Sequence, residues 1–433
     1  MNTIPIRDLN TTLKDIGALK PSPRNARTHS KKQVEQIAES IKTFGWTNPV
    51  LTDGDDNILA GHGRVEAAKL LGLAQVPVIP LTNMTEAQKR AYIIADNKLA
   101  ENAGWDDAIL VSELGELAKM DLGFDLEVIG FETGEIDFML GADDAAPEPP
   151  PPEPEKGPAI SAPGDLWLLG KHRLFCGNAL EAASYQQLLQ GEVAAAMFTD
   201  PPYNVPVHGH VCGLGKVKHD EFVMASGEMS DEEFRAFLTT FCQQAKAALK
   251  PGAVAFVCMD WRHVGDLLGT GEADLGELIN FCVWNKMQGG MGSLYRSQHE
   301  LIPVFRTPGD KHRNNVELGR HGRNRTNVWD YKGIQARREE LKLHPTVKPV
   351  QMIADAIQDV TARGEIVLDP FAGSGSTILA AEQTGREARC LELDPRYVDV
   401  AIRRYQETTG KEAEHAVWGQ SFGEIEAEKK KGI

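Results

Sequence analysis

The stretch IVLDPFAGSGSTILAA, residues 366–381, runs from an apolar segment through a glycine-rich turn into a helical pattern. Ile366 to Leu368 read as a buried strand. Ser376 onward reads as a helix whose first N–H groups have no partner within the helix. Gly373 and Gly375 permit a tight turn and close approach of the backbone to a ligand. The turn is not a Walker A loop, because no Gly-Lys-Ser/Thr follows, and not a full GxGxxG, because position 378 is Ile. The next apolar run, ARCLELD, carries Glu392 near its end, 17 positions after Gly375. An acid there can accept both ribose hydroxyls of an adenosine ligand. The plain alternative is an ordinary turn followed by a surface glutamate.

Outward from this stretch, strand and helix patterns alternate. RLFCGNAL, EVAAAMFTD, GAVAFVCMD, FCVWNK, HELIPVFR, EIVLDPF and EARCLELD are strand candidates, with helices such as DEEFRAFLTTFCQQAKAALK between several of them. That alternation predicts an α/β domain with a largely parallel sheet. Ligands of such sheets bind at the carboxyl ends of the strands. Asp200-Pro201-Pro202-Tyr203 and the glycine turn both fall there.

Together these segments resemble the amino-methylating DNA methyltransferases that use S-adenosylmethionine. Asp200, Pro201, Pro202 and Tyr203 match the family's catalytic tetrapeptide, and DPFAGSG, residues 369–375, matches its cofactor loop. HPTVKP, residues 344–349, matches the segment that precedes that loop when the catalytic motif comes first in the chain, and Glu392 falls on the ribose-binding acid. The order is that of the β group, over about residues 162–420. The resemblance implies a Rossmann-like methyltransferase sheet. It also implies cofactor contacts from Asn178, Thr346, Lys348, Pro349, Asp369, Phe371, Gly373, Ser374, Gly375 and Glu392. One position departs from the pattern: where members often carry Gly-Asp, CGNAL places Asn178, which keeps an acceptor oxygen but no charge.

The chemistry accounts for the tetrapeptide. An exocyclic amine on a base is a poor nucleophile, because its lone pair is delocalised into the ring. A carboxylate (Asp200) and a backbone carbonyl (Pro201) can accept its two protons and draw the nitrogen toward tetrahedral geometry. Pro202 helps to stiffen the backbone that aims the carbonyl. Tyr203 can stack on a base flipped out of the duplex. Methyl transfer is then a single in-line displacement that depends on positioning. No Pro-Cys dipeptide occurs, which argues against methylation at cytosine C5. Within the family, Asp at position 200 favours adenine N6, and Ser is commoner for cytosine N4. The alternatives are an N4-cytosine enzyme, or a DNA-binding regulatory protein with a vestigial catalytic half.

Between the two motifs lies a target-recognition region, about residues 205–342. From Arg306 to His344 there are ten Lys/Arg against five Asp/Glu. Arg320, Arg323 and Arg325 are candidates to clamp phosphates or read guanine edges of double-stranded DNA. The bland reading is a solvated basic loop.

Ahead of this domain, residues 142–158 read ADDAAPEPPPPEPEKGP, with six prolines in the eight residues from Pro147 to Pro154. Such a run favours extended polyproline geometry and predicts a linker, placed at 141–160. Residues 1–140 form an expected separate α+β domain. KKQVEQIAESIKTFG has helical spacing and PVLTDGDDNILAG reads as a hairpin. PSPRNARTHS, ILAGHGRVEAAKLLG and ADNKLA resemble the ParB/sulfiredoxin-like fold. Gly61, His62, Gly63 and Arg64 sit where relatives hold a phosphate-binding box, so a nucleotide is an expected ligand. No cysteine precedes Cys176, which argues against sulfiredoxin activity. A helix-turn-helix after this domain is not apparent. Residues 421–433 read as a charged, frayed tail.

Composition sets outer limits. The chain has 433 residues, 42% hydrophobic and 25% charged, with a net charge of −16, so any DNA contact rests on a local basic patch. Six cysteines without a CxxC pair predict reduced thiols and no metal site. No apolar run reaches membrane-spanning length and no leader is evident, so a cytoplasmic protein is expected. A homodimer is implied only by the β-group resemblance.

Overall fold

The computed structural model describes residues 10–120, 122–141, 151–152, 154–155, 157–204, 227–289, 294–320, 324–332 and 347–431. The chain divides into two compact units after Ile136. Most of the proline-rich run and a large part of the expected recognition region lie outside the described residues.

The first unit holds β1 (Thr12–Asp15), α1 (Lys31–Phe44), β2 (Val50–Thr52), β3 (Ile58–Ala60), α2 (His62–Leu70), β4 (Gln75–Pro80), α3 (Glu86–Glu101) and α4 (Asp107–Leu117). Helix α5 (Thr133–Leu140) spans the division. Its strands form a four-stranded sheet in the order β1-β4-β2-β3. The expected hairpin is β2 antiparallel to β3. Helix α1 begins where Ser30 Oγ accepts the Gln33 N–H and stops at Gly45, whose φ of 76° only glycine adopts readily. Val50, Ile58, Val65, Val76 and Val78 pack the core between sheet and helices.

Among the described residues, the second unit is built on ten strands. They are β5 (Leu166–Leu169), β6 (His172–Cys176), β7 (Ala194–Thr199), β8 (Leu249–Val257), β9 (Glu277–Asn285), β10 (His299–Arg306), β11 (Val328–Asp330), β12 (Ile366–Asp369), β13 (Glu387–Glu392) and β14 (Ala413–His415). Helices are α6 (Ala182–Leu189), α7 (Asp231–Ala248), α8 (Val264–Asp274), α9 (Val350–Val360), α10 (Ser376–Thr384), α11 (Pro395–Thr409) and α12 (Phe422–Lys431). The sheet order is β11-β9-β10-β8-β7-β12-β13-β6-β5-β14. Its centre, β8-β7-β12-β13-β6, is parallel. β10 pairs antiparallel with both β8 and β9, as does β5 with β6 and β14, so the sheet is more mixed than its sequence predicts.

β12 is sandwiched between β7 and β13, with Leu368 opposite Met197 on one side and Asp369 opposite Cys390 on the other. Val367 and Leu368 are fully buried, as a central parallel strand requires. Gly375 opens α10 with φ of 79°, and a Cβ there would lie 2.9 Å from Ala401 Cβ on α11. The glycine therefore satisfies both the left-handed turn and the close helix approach.

The tail is a correction to the frayed reading. Residues 422–431 form α12, with Ser421 and Glu424 hydrogen-bonding reciprocally at its start. Phe422 is buried with its ring 5.4 Å from Trp167. Two apolar anchors, Phe422 and Ile425, outweigh the charged residues that suggested fraying.

Candidate active site

Four adjacent parallel strands end on one edge of the sheet and deliver four pieces of the site. β7 leads into Asp200, β12 into Asp369 and the glycine loop, β13 ends on Glu392, and β6 leads into Gly177 and Asn178. Backbone bonds tie these ends laterally: Gly177 N–H donates to Glu392 O at 2.9 Å, and Ala372 N–H to Leu391 O at 2.9 Å. Together they line a cavity of about 190 Å³.

Asp369 staples the two loops. It accepts from Thr199 Oγ1 at 2.8 Å and Phe371 N–H at 3.1 Å with one oxygen, and from Thr377 Oγ1 at 2.6 Å with the other. Burial pushes its carboxyl up to about 6, against the pull of those donors. Both of its oxygens are thus engaged within the protein, where they hold the loop.

Glu392 sits at the cavity wall and accepts one backbone N–H on each oxygen, from Gly373 at 2.8 Å and Asp394 at 2.9 Å. Each carboxylate oxygen keeps a further lone pair. Burial pushes the Glu392 carboxyl up to about 7, with the two backbone donors pulling the other way. Below the loop, Arg404 donates to Ser374 O, Ser374 Oγ and Ser376 Oγ, each at 3.0 Å. That buried arginine props the turn. It lies on α11, about 30 residues downstream, and no local pattern marks it.

Asn178 lines the cavity, with its Oδ1 accepting the Leu180 N–H at 3.0 Å and its Nδ2 donating to Glu181 at 3.2 Å. A turn role is therefore present. Phe371 also lines the cavity and packs edge-on against Phe241, 5.2 Å between centroids. Pro349 caps α9, and Thr346 lies outside the described residues.

Asp200, Pro201, Pro202 and Tyr203 line the same cavity. Tyr203 Oη donates to Asp200 Oδ1, and Lys348 Nζ pairs with Asp200 Oδ2. Burial raises the Asp200 carboxyl above its ordinary range, opposed by the Lys348 charge. Asn204 follows with φ of 53° and fixes the segment after the tetrapeptide. Its Oδ1 accepts from Gly227 and Met229 N–H at 3.1 and 3.2 Å, and its Nδ2 donates to Met229 O at 2.9 Å. Asparagine tolerates this left-handed conformation better than most residues.

Of the three recognition arginines, Arg325 is reassigned. It bonds Asp359 at 3.1 Å, Asp355 at 3.2 Å and Tyr331 Oη at 2.7 Å, with its guanidinium 5.3 Å from the Trp329 ring. It ties the β11 region to α9 through its Nε and Nη1. Arg320 is exposed and pairs with Glu317 at 2.8 Å; Arg323 lies outside the described residues.

In the first unit, Gly61 has φ of 99° at the start of α2. His62 Nε2 accepts the Ser22 N–H at 3.2 Å, and burial, followed by nearby His29, holds its pKa below the ordinary value. Arg64 is partly buried and donates to Pro49 O at 3.3 Å. Gly61 makes the turn between β3 and α2, and His62, Gly63 and Arg64 form the first turn of α2.

Comparison with known families agrees with this arrangement. Residues 194–403 match a DNA methylase family model, residues 8–97 the ParB N-terminal domain, and residues 108–163 the ParB-methyltransferase HTH domain. The "ParB-like nuclease domain-containing protein YnaK" of Escherichia coli (strain K12) is 52% identical over 82 residues, 19% of this chain and 94% of that protein. The "Type II methyltransferase M.HpaI" of Haemophilus parainfluenzae is 26% identical over 246 residues, 54% of this chain and 73% of that protein. A crystal structure of an M1.HpyAVI–SAM complex superposes with a TM-score of 0.40 at 19% identity, covering 53% of this chain and 97% of that one. The second unit carries an amino-methylating DNA methyltransferase domain. The chain joins this DNA methylase domain to a ParB-like N-terminal domain.

The helix-turn-helix match corrects the reading that no such element follows the first domain. Helices α4 and α5 fall within it, joined through a short 3-10 turn at Leu126–Ile129. Each is short, 11 and 8 residues, which gives a weak periodic signal in the sequence.

The reassignment of Arg325 is open to measurement. Arg325→Ala is expected to lower the unfolding free energy by roughly 2–4 kcal/mol, by removing the cation that Asp355 and Asp359 share. The salt dependence of DNA binding should stay unchanged. An unaltered urea midpoint with a salt slope weaker by about 0.9 would restore a phosphate contact.

Proposed function

We propose that this protein transfers a methyl group from S-adenosylmethionine to the exocyclic N6 of an adenine flipped out of double-stranded DNA. One observation carries the reading: Asp200 and Glu392 line a single cavity, one beside the proline pair, the other beside the glycine loop. The first suits an amine and the second a ribose diol.

The residues present fit such a donor. Glu392 retains a lone pair on each oxygen, the glycine loop brings backbone close, and Phe371 offers an apolar ring face. When bound, the donor supplies a methyl group activated by a sulfonium. Asp200 and the Pro201 carbonyl accept the amine protons, which restores nucleophilic character to the nitrogen. Tyr203 provides a ring against which the base can stack. The aspartate at position 200 supports adenine over cytosine N4, within the family tendency described above. The helices of the ParB-methyltransferase HTH match and Arg320 are assigned to DNA contact, and the Gly61–Arg64 turn to a phosphate or nucleotide. Homodimerisation belongs to the same proposal.

Asp200→Ala is expected to lower methyl transfer to genomic DNA by about 10²–10⁴-fold while donor binding is retained. Transfer at the wild-type rate would remove Asp200 from the chemistry. Glu392 generates a pH dependence. Its carboxyl titrates near 7, and the ionised form is the better acceptor for two hydroxyls. Donor affinity, read by calorimetry, should therefore rise as pH increases through about 7, and Glu392→Gln should flatten that rise. A Glu392→Gln protein with the wild-type affinity and pH profile would sink the ribose role.

A further inference from the structure

Lys348 comes from the turn before α9, and its side chain is 4% exposed. The family resemblance placed it among the cofactor contacts. It lines the cavity, and its ammonium faces Asp200. Nζ pairs with Asp200 Oδ2, lies 3.1 Å from Glu300 Oε2 and donates to Tyr203 Oη at 3.3 Å. It also lies 5.6 Å from the Tyr203 ring centre and 5.9 Å from that of Trp284. Glu300, on β10, is buried and is held from its far side by Lys286 at 2.9 Å. Charges therefore alternate through the protein: Lys286, Glu300, Lys348, Asp200. The Lys348 carbonyl accepts from Ser376 Oγ at 2.9 Å, so the first residue of α10 pins the lysine's backbone.

We infer that Lys348 is a positioning residue for Asp200: as the cation shared by two buried carboxylates, it keeps Asp200 ionised and aimed at the transferring nitrogen. This deepens the proposed function and rests on it. The physical need is plain. A carboxylate taken out of water protonates unless a counter-charge holds it. A protonated Asp200 would present a donor to an amine that itself requires an acceptor. Besides Lys348, the groups facing Asp200 are the Tyr203 hydroxyl, the Cys258 thiol, Glu300 and Asp369. None of these is a cation, so Lys348 alone among them favours the ionised acid by charge. Glu300 acts in the opposite sense on Asp200, yet it is what holds the ammonium in place. Burial works against the charge on Lys348, but Asp200 and Glu300 together carry its pKa above the ordinary lysine value. It is therefore an ammonium when both carboxylates are ionised.

The step balances without Lys348 exchanging a proton. The nitrogen–carbon bond forms as the sulfur–carbon bond breaks, and the sulfonium becomes a neutral thioether. The methylated nitrogen carries the positive charge and loses one proton to the Asp200 carboxylate. Lys348 lowers the proton affinity of that carboxylate, so the proton passes on to water and the site resets. Tyr203 Oη and Lys348 use one lone pair on each Asp200 oxygen, which leaves room for the amine.

The test is the pH profile of methyl transfer together with calorimetric donor binding, on the full chain. Lys348→Met is expected to move the acid limb upward by about 1–3 pH units. Turnover at neutral pH should fall by about 10²-fold, with the donor dissociation constant little changed. Lys348→Arg should restore the limb. Glu300→Gln, which is isosteric and keeps an acceptor oxygen toward Lys348, should move the limb the other way, to lower pH, because it removes a like charge near Asp200. This second variant keeps the test decisive if Lys348→Met does not fold. An unmoved limb in Lys348→Met with a raised donor dissociation constant would return Lys348 to the cofactor site and overturn the inference. So would a Glu300→Gln limb that stays in place. A wild-type protein that binds donor but methylates no DNA base would defeat the proposed function, and the inference with it; an active wild type with unmoved limbs defeats the inference alone.

Discussion

The site depends on one buried carboxylate. Asp369 ends β12 and accepts hydrogen bonds from Thr199, at the end of β7, and from Thr377, in the first turn of α10. Thr199 and Asp369 are 170 residues apart in sequence. Parallel pairing of β7 and β12 brings both strand ends to one edge, and the carboxylate locks their register there. The catalytic tetrapeptide and the glycine loop then leave the sheet side by side. Such a group is costly to bury and is tolerated because three donors satisfy it. The large apolar cores on either sheet face hold these strands in place, and the polar staple ties one loop to the other.

Four carboxylates crowd this edge, and their partners give them different roles. Asp369 is satisfied by hydroxyls and an amide, and shapes backbone. Glu392 is satisfied by two amides, with lone pairs to spare. Asp200 and Glu300 share Lys348. The net charge of −16 describes none of this. What matters is the protein dipole or cation within hydrogen-bond reach of each oxygen, and these come from distant parts of the chain.

Much of the architecture was legible in the sequence. The parallel core strands are apolar runs next to turn residues, and the glycines of the cofactor loop announce a positive φ. The strands β5, β11 and β14 were not legible, because three or four residues are too few for a periodic signal. α12 was missed because two buried anchors were masked by a run of charge. At the site, residues joined by local motifs were found, while Glu300, Arg404 and Asn204 were not. Glu300 and Arg404 act across the fold, and Asn204 through a turn set by Gly227 and Met229. Arg325 shows the reverse situation. Its setting among basic residues suggested DNA, but Asp355 and Asp359 on α9 had already claimed it. Composition reveals a charge but not its partner.

The central claim is that the cavity between the β7 and β12 ends methylates an exocyclic amine of DNA, and that Asp200 selects adenine. Its most direct test is to incubate the protein with methyl-labelled S-adenosylmethionine and genomic DNA of mixed composition, digest the DNA to nucleosides and identify the labelled one. The account predicts label on N6-methyladenine. Label on N4-methylcytosine would keep the chemistry and contradict the choice of base, and label at cytosine C5 or on no base would contradict the account.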